Sequence, residues 1–167
     1  LGNKHSLSEI SPADRLDELE FHFPLQSGKD LVSRLNYLGY LRSRDVPIGL
    51  DGMMTGKIDL LYRHNGHYFI IDYKSNFLGF QPEDYRPKRL AEAMLEHHYS
   101  LQFLIYTVAV HRMLKRNVPD YEYEEHFGGV RYLFLRGMDG STQNGIYSHR
   151  PDYSLVSELN KRLGEKE

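Results

Sequence analysis

Two apolar runs, Gly56–Arg63 and His67–Lys74, flank the dipeptide Asn65-Gly66, and this arrangement restricts the fold more than any other feature. Asn-Gly between β-formers signals a type I′ hairpin, because both central residues of that turn need positive φ. A two-residue loop also fixes the register. His64 then faces His67, Tyr62 faces Phe69, Leu61 faces Ile70, Asp59 faces Asp72 and Lys57 faces Lys74. Side chains alternate along a strand, so Lys57, Asp59, Asp72 and Lys74 share one face of the hairpin.

Opposed β-carbons lie roughly 4.5–5.5 Å apart. Two aspartates at that spacing, among Ile58, Leu60, Ile70 and Ile71, are costly, because like charges repel and buried carboxylates lose their hydration. Shared protonation, neutralisation by Lys57 and Lys74 as a structural cluster, or a divalent cation would each relieve the cost. The chain has no cysteine, so a metal here must take oxygen or imidazole ligands, which points to Mg²⁺, Mn²⁺ or Ca²⁺. Mg²⁺ asks for few protein ligands and suits two close carboxylates. An ammonium two residues beyond the second aspartate can then orient or deprotonate a water and offset charge on a pentavalent phosphate. A glutamate of an earlier strand, Glu18 or Glu20, could complete the metal shell.

The rest of the chain frames this hairpin. Glu18–Phe23 alternates as a half-buried strand ended by Pro24. Gly28–Leu38 reads as a short helix, Tyr40–Gly52 and Phe77–Pro87 as loops, and Lys88–Glu96 and Ser100–Arg116 as helices, with Ser100 able to cap the second. Val130–Leu135 is a buried strand entered through Gly128-Gly129, Gly137–Gly145 a loop, and Pro151–Leu163 a final amphipathic helix. The fold class is therefore α/β, a mixed central β-sheet flanked by helices. Residues 1–15 read as a linker or a cut boundary, and 16–167 as one domain. Hydrophobic and charged fractions of 40% and 26% are those of an ordinary globular chain, and a net charge of −2 decides nothing about nucleic acid. Two basic groups, Arg86, Lys88 and Arg89, then Arg112, Lys115 and Arg116, either guide DNA or solvate their helices. No apolar run approaches the ~20 residues of a membrane span and no secretory leader opens the chain, so neither membrane nor secretion is expected. No GxxxxGK[ST] motif is present, so ATP hydrolysis is not expected.

Three segments carry a resemblance. Thr55–Leu60 with Asp59, Ile71–Asn76 with Asp72, Tyr73 and Lys74, and Gln102–Tyr106 stand in the order and spacing of the PD-(D/E)xK nuclease superfamily. Within it, the likeness from about Leu16 onward is to the nuclease domains of RecB-type subunits of RecBCD helicase–nucleases. The resemblance implies a restriction-endonuclease-like core and Mg²⁺-dependent cleavage of DNA, with Mn²⁺ as a substitute. It makes Asp59, Asp72 and the Tyr73 carbonyl metal ligands, Lys74 the catalytic lysine, and Glu20, in preference to Glu18, the first-motif glutamate. Gln102 and Tyr106, one helical turn apart, would steady the active strand or DNA. It further implies docking to RecC and RecD subunits and to the RecA recombinase, work in double-strand break repair, and a bacterial cytoplasmic setting. The family's metal-binding histidine stands on a helix ahead of the first strand, in a context that none of the nine histidines here matches; these are expected at the surface or in caps. Without that ligand, the alternative is a non-catalytic DNA-binding or protein-docking module.

Overall fold

The computed structural model describes residues 6–27, 29–42, 50–140 and 142–163. Five strands among these residues form one sheet in the order β1-β2-β3-β4-β5. β1 spans Arg15–Ser27, β2 Leu50–His64, β3 His67–Lys74, β4 Phe127–Phe134 and β5 Ile146–His149. Only β3 and β4 run parallel, and the other neighbours are antiparallel. A parallel pair needs a crossover. Helices α2 (Pro87–Glu96) and α3 (Tyr99–Asn117) supply it, while α1 (Lys29–Tyr37), the short α4 (Tyr123–His126) and α5 (Tyr153–Arg162) complete the set.

The hairpin forms as its turn residues require. Asn65 and Gly66 have φ of 49° and 81°, and His64 pairs with His67, Tyr62 with Phe69 and Leu61 with Ile70. The larger core fills the α2/α3/α5 face of the sheet, with Ile58, Leu61 and Ile70 against Leu90, Met94, Phe103, Val108 and Val156. The other face carries a smaller cluster of Leu60, Tyr62, Ile71 and Leu133, covered by Ile10 and Leu7. The expected linker is therefore folded from Ser6, because Ile10 buries itself against the sheet and leaves only 8% of its surface exposed.

Several boundaries differ from the sequence reading. β1 does not stop at Pro24, which pairs with Met53 and continues to Ser27. The strand lies at the sheet edge, where a missing N–H costs least. Gly128-Gly129 does not precede β4 but lies inside it, where pairing with β3 slips at Tyr68/Phe69. Ser100 does not cap α3: it is buried within the helix, and His98 takes the N-cap position at φ 56°. α4 and β5 carry no periodic signal at four residues each. Of the expected Tyr40–Gly52 loop, residues 43–49 lie outside the described ones, and Leu50–Gly52 belong to β2.

Arg112 neither guides DNA nor solvates its helix. It is buried, and its guanidinium donates to Asn160 Oδ1 at 2.6 Å, Asn160 O at 2.9 Å and Leu163 O at 3.2 Å, tying α5 to α3. His111 is likewise buried rather than at the surface or in a cap, packed among Tyr121, Tyr123 and Tyr153.

Gly129 has φ +116°, and a Cβ there would stand 2.7 Å from the His149 carbonyl oxygen of β5. Gly129→Ala should therefore lower stability by about 1–3 kcal/mol. Urea unfolding tests this: the midpoint should fall at unchanged slope, and an unchanged midpoint would refute the strain argument.

Candidate active site

The β2–β3 ladder ends at Leu60↔Ile71, one residue short of the aspartates. β3 continues instead beside β4, as far as Lys74↔Phe134. Asp59 and Asp72 are thus not a ladder pair, nor are Lys57 and Lys74, and the sequence expectation is corrected at this point. The strands part where two carboxylates would otherwise be pressed together. Asp59 Oδ2 enters the gap and accepts the Tyr73 N–H at 2.8 Å, the hydrogen bond a neighbouring strand would otherwise supply. β1 breaks at the same level: Glu18 has φ 54°, and no Glu18↔Asp59 pair forms between Asp17↔Leu60 and Leu19↔Ile58.

Beyond the break, Asp72 and Lys74 point to the α3 side. Asp72 is 3% exposed, and Lys74 Nζ lies 2.6 Å from its Oδ2. That contact is a close ion pair without hydrogen-bond alignment, so Oδ2 is a buried oxygen with no aligned donor. Burial pushes the Asp72 carboxyl above the usual aspartate range, Lys74 pulls it back, and nearby Asp59 adds to the rise. The residue thus holds its negative charge reluctantly, and a cation would relieve it.

Helix α3 fixes the lysine. Lys74 Nζ donates to Gln102 Oε1 at 3.0 Å and sits 3.9 Å from the Tyr99 ring centroid and 5.1 Å from that of Tyr132. Tyr132 Oη donates to the same Gln102 oxygen at 3.1 Å. Gln102 Nε2 donates to Tyr106 Oη at 2.9 Å, and Tyr106 Oη donates to the Lys57 carbonyl at 2.9 Å. Burial pushes Tyr106 up to about 12, so its hydroxyl keeps its proton across the neutral range. One amide and one phenol on successive helical turns thereby join β2 to the lysine of β3.

The structure brings Asp59, Asp72, Lys74, Gln102 and Tyr106 together. Tyr73 contributes its backbone N–H to Asp59, while its side chain is 39% exposed. Glu18 makes an ion pair with Lys57 at 3.0 Å. Glu20 is exposed on β1, opposite Lys57 in the ladder, and is not drawn into the network. Sequence reasoning missed Tyr99 and Tyr132. Tyr99 stands three residues before Gln102 on the same helical face, a signal that was available, whereas Tyr132, among mostly apolar neighbours in a buried strand, offered none.

Among the described residues, no three His, Asp or Glu side chains converge on a common point. Two carboxylates remain, Asp59 and the buried Asp72, whose Oδ2 is paired with Lys74. This donor set fits a hard, oxygen-seeking cation that retains most of its waters.

A profile of the PD-(D/E)XK nuclease superfamily matches residues 11–164. The chain is 42% identical over 158 residues to the RecBCD enzyme subunit RecB of Haemophilus influenzae, covering 92% of this chain and 13% of that protein. It is 41% identical over 159 residues to the same subunit of Escherichia coli (91% and 14%), and 36% identical over 190 residues to that of Mycobacterium tuberculosis (95% and 17%). The chain thus spans only a small part of the length of these relatives.

Tyr106→Phe removes the hydroxyl that joins Gln102 to the Lys57 carbonyl and leaves both without it. The expected loss of stability is about 1–3 kcal/mol. Denaturant unfolding measures it, and a variant as stable as the parent would mean that the bridge contributes nothing.

Proposed function

The chain belongs to the PD-(D/E)XK nuclease superfamily, and on that premise we propose that it is the nuclease domain of a RecBCD-type helicase–nuclease. In this reading it hydrolyses phosphodiester bonds of DNA while double-strand breaks are processed for recombinational repair. Nucleases of this superfamily are generally divalent-metal dependent, and we assign Mg²⁺, replaceable by Mn²⁺, as the ion. The observation that carries the proposal is the buried Asp72 carboxylate paired with Lys74, at the point where Asp59 interrupts the sheet.

Asp59, Asp72 and the Tyr73 carbonyl would hold the ion. When bound, it supplies Lewis-acid polarisation of the scissile phosphate and a water acidic enough to attack at neutral pH. Lys74 carries the remaining task. Its ammonium, held by Gln102 and two tyrosine rings, orients the attacking water and offsets charge on the phosphate as the bond breaks. Fixing the ammonium beforehand means that little reorganisation is needed during the reaction. Glu20 on β1 is the proposed first-motif glutamate, acting from the sheet edge. Residues 16–167 would form the domain together with the folded segment from Ser6 that covers the sheet, with a histidine from a helix ahead of them as a further ligand.

The relatives' name, RecBCD enzyme subunit RecB, supports DNA as substrate and RecC and RecD subunits as partners. RecA as a further partner, and the bacterial cytoplasm as the setting, belong to the same proposal. No helix among the described residues is long and apolar enough to cross a membrane.

The test is cleavage of labelled single-stranded DNA under Mg²⁺ and Mn²⁺ titration, by this chain and by an N-terminally extended form. Asp72→Ala and Lys74→Ala should each lower cleavage on the order of 10²–10³-fold or more while circular dichroism remains that of the parent. Asp59→Asn should raise the Mg²⁺ concentration needed for half-maximal rate. Full activity in both the Asp72 and Lys74 variants would remove the site assignment. No cleavage and no metal binding by either form would favour a docking module instead.

A further inference from the structure

Two of the most exposed apolar side chains stand immediately past Lys74. Phe80 is 90% exposed and Phe77 is 55% exposed, and their rings meet edge to face at 4.8 Å. Chain reach alone keeps the Phe77 Cα within roughly 10 Å of that of Lys74. The loop that carries them is braced. Leu78, between the rings, packs on the main core, and its N–H donates to the hydroxyl of buried Tyr85 at 3.2 Å. Gln81 N–H donates to Asp84 Oδ2 at 2.9 Å, and that carboxylate lies so close to Gly79 that a Cβ there would overlap it. The rings are thus held outward by an ordered loop, at the cost of leaving them in water.

A continuous line of contacts joins the pair to the candidate active site. Lys74 lies over the Tyr99 ring, Tyr99 Oη donates to Asn76 Oδ1 at 3.0 Å, and Asn76, the neighbour of Phe77, meets His97 Nε2 at 3.3 Å. On the β4 side stands Arg136. Its Nε donates to the Ser75 carbonyl at 2.8 Å, its guanidinium is otherwise exposed, and it has no carboxylate partner among the described residues.

We propose that Phe77 and Phe80 form a stacking platform for unpaired bases of the DNA strand being cut, and that Arg136 holds a phosphate of the same strand. The proposal rests on the nuclease reading and adds the residues that prefer an unpaired strand. Rings alone would suit an apolar protein surface equally well. Rings together with an exposed guanidinium tied to Ser75, just past the strand that bears Lys74, match the two chemistries of a single-stranded nucleic acid: π-faces and phosphates. A duplex keeps its base faces stacked internally and would gain only the arginine.

The test is fluorescence anisotropy of the full chain with labelled oligothymidylate and with a blunt duplex of equal length, in chelator so that nothing is cut. The double variant Phe77→Ala/Phe80→Ala should bind oligothymidylate about tenfold or more weakly per ring lost and the duplex unchanged. Arg136→Ala should weaken both and make the salt dependence on the single strand shallower by about 0.7. Equal oligothymidylate binding by parent and double variant would overturn the platform and make the rings a protein contact. The nuclease reading would still stand if the parent cuts DNA with Mg²⁺. A parent that does not bind DNA, with no cleavage by it or by its N-terminally extended form, would overturn both.

Discussion

The fold around the site turns on one hydrogen bond, from the Tyr73 N–H to Asp59 Oδ2. An antiparallel hairpin left to itself would zip to its end and place two aspartates side by side. Here the side chain of one aspartate replaces a backbone acceptor, and the strands part at Leu60↔Ile71. β3 does not fray as a result, because its other edge remains paired with β4 through Lys74. The sheet thereby keeps a rigid strand under Asp72 and Lys74 while opening a gap on its β2 side.

Helix α3 makes that gap precise. Gln102 and Tyr106 span from Lys74 to the Lys57 carbonyl, and Tyr99 and Tyr132 wall the ammonium. A lysine otherwise has four flexible bonds, and its entropy would blur its position. The helix is in turn fixed by Arg112, whose buried guanidinium anchors the C-terminal end of α5 to it. A residue far from the chemistry therefore helps to set the position of the catalytic candidate.

The arrangement is not optimal for the stability of the fold. Asp72 is buried, its carboxyl is pushed upward, and one oxygen lacks an aligned donor. Above the ordinary aspartate range, ionising Asp72 costs folding free energy, and that cost vanishes as pH falls below it. Carboxyl groups perturbed in this way cluster at functional sites.

Much of this was legible in the sequence. Asn65-Gly66 fixed the hairpin and its register near the turn, since turn type depends only on local φ and ψ. Period-2 alternation located the middle of β1, apolar runs of β-formers located β2, β3 and β4, and the order of Asp59, Asp72, Lys74, Gln102 and Tyr106 carried the family. The ladder break was not legible, because it reflects competition between a side chain and a backbone across two strands. Nor were the tyrosine walls of Lys74, the burial of Arg112, the folded segment around Ile10 or the persistence of β1 past Pro24. Each depends on which faces meet after the chain has folded. Local dihedral preferences and side-chain period belong to the sequence alone, whereas packing between distant segments decides which charge is buried, which is paired and which faces the solvent.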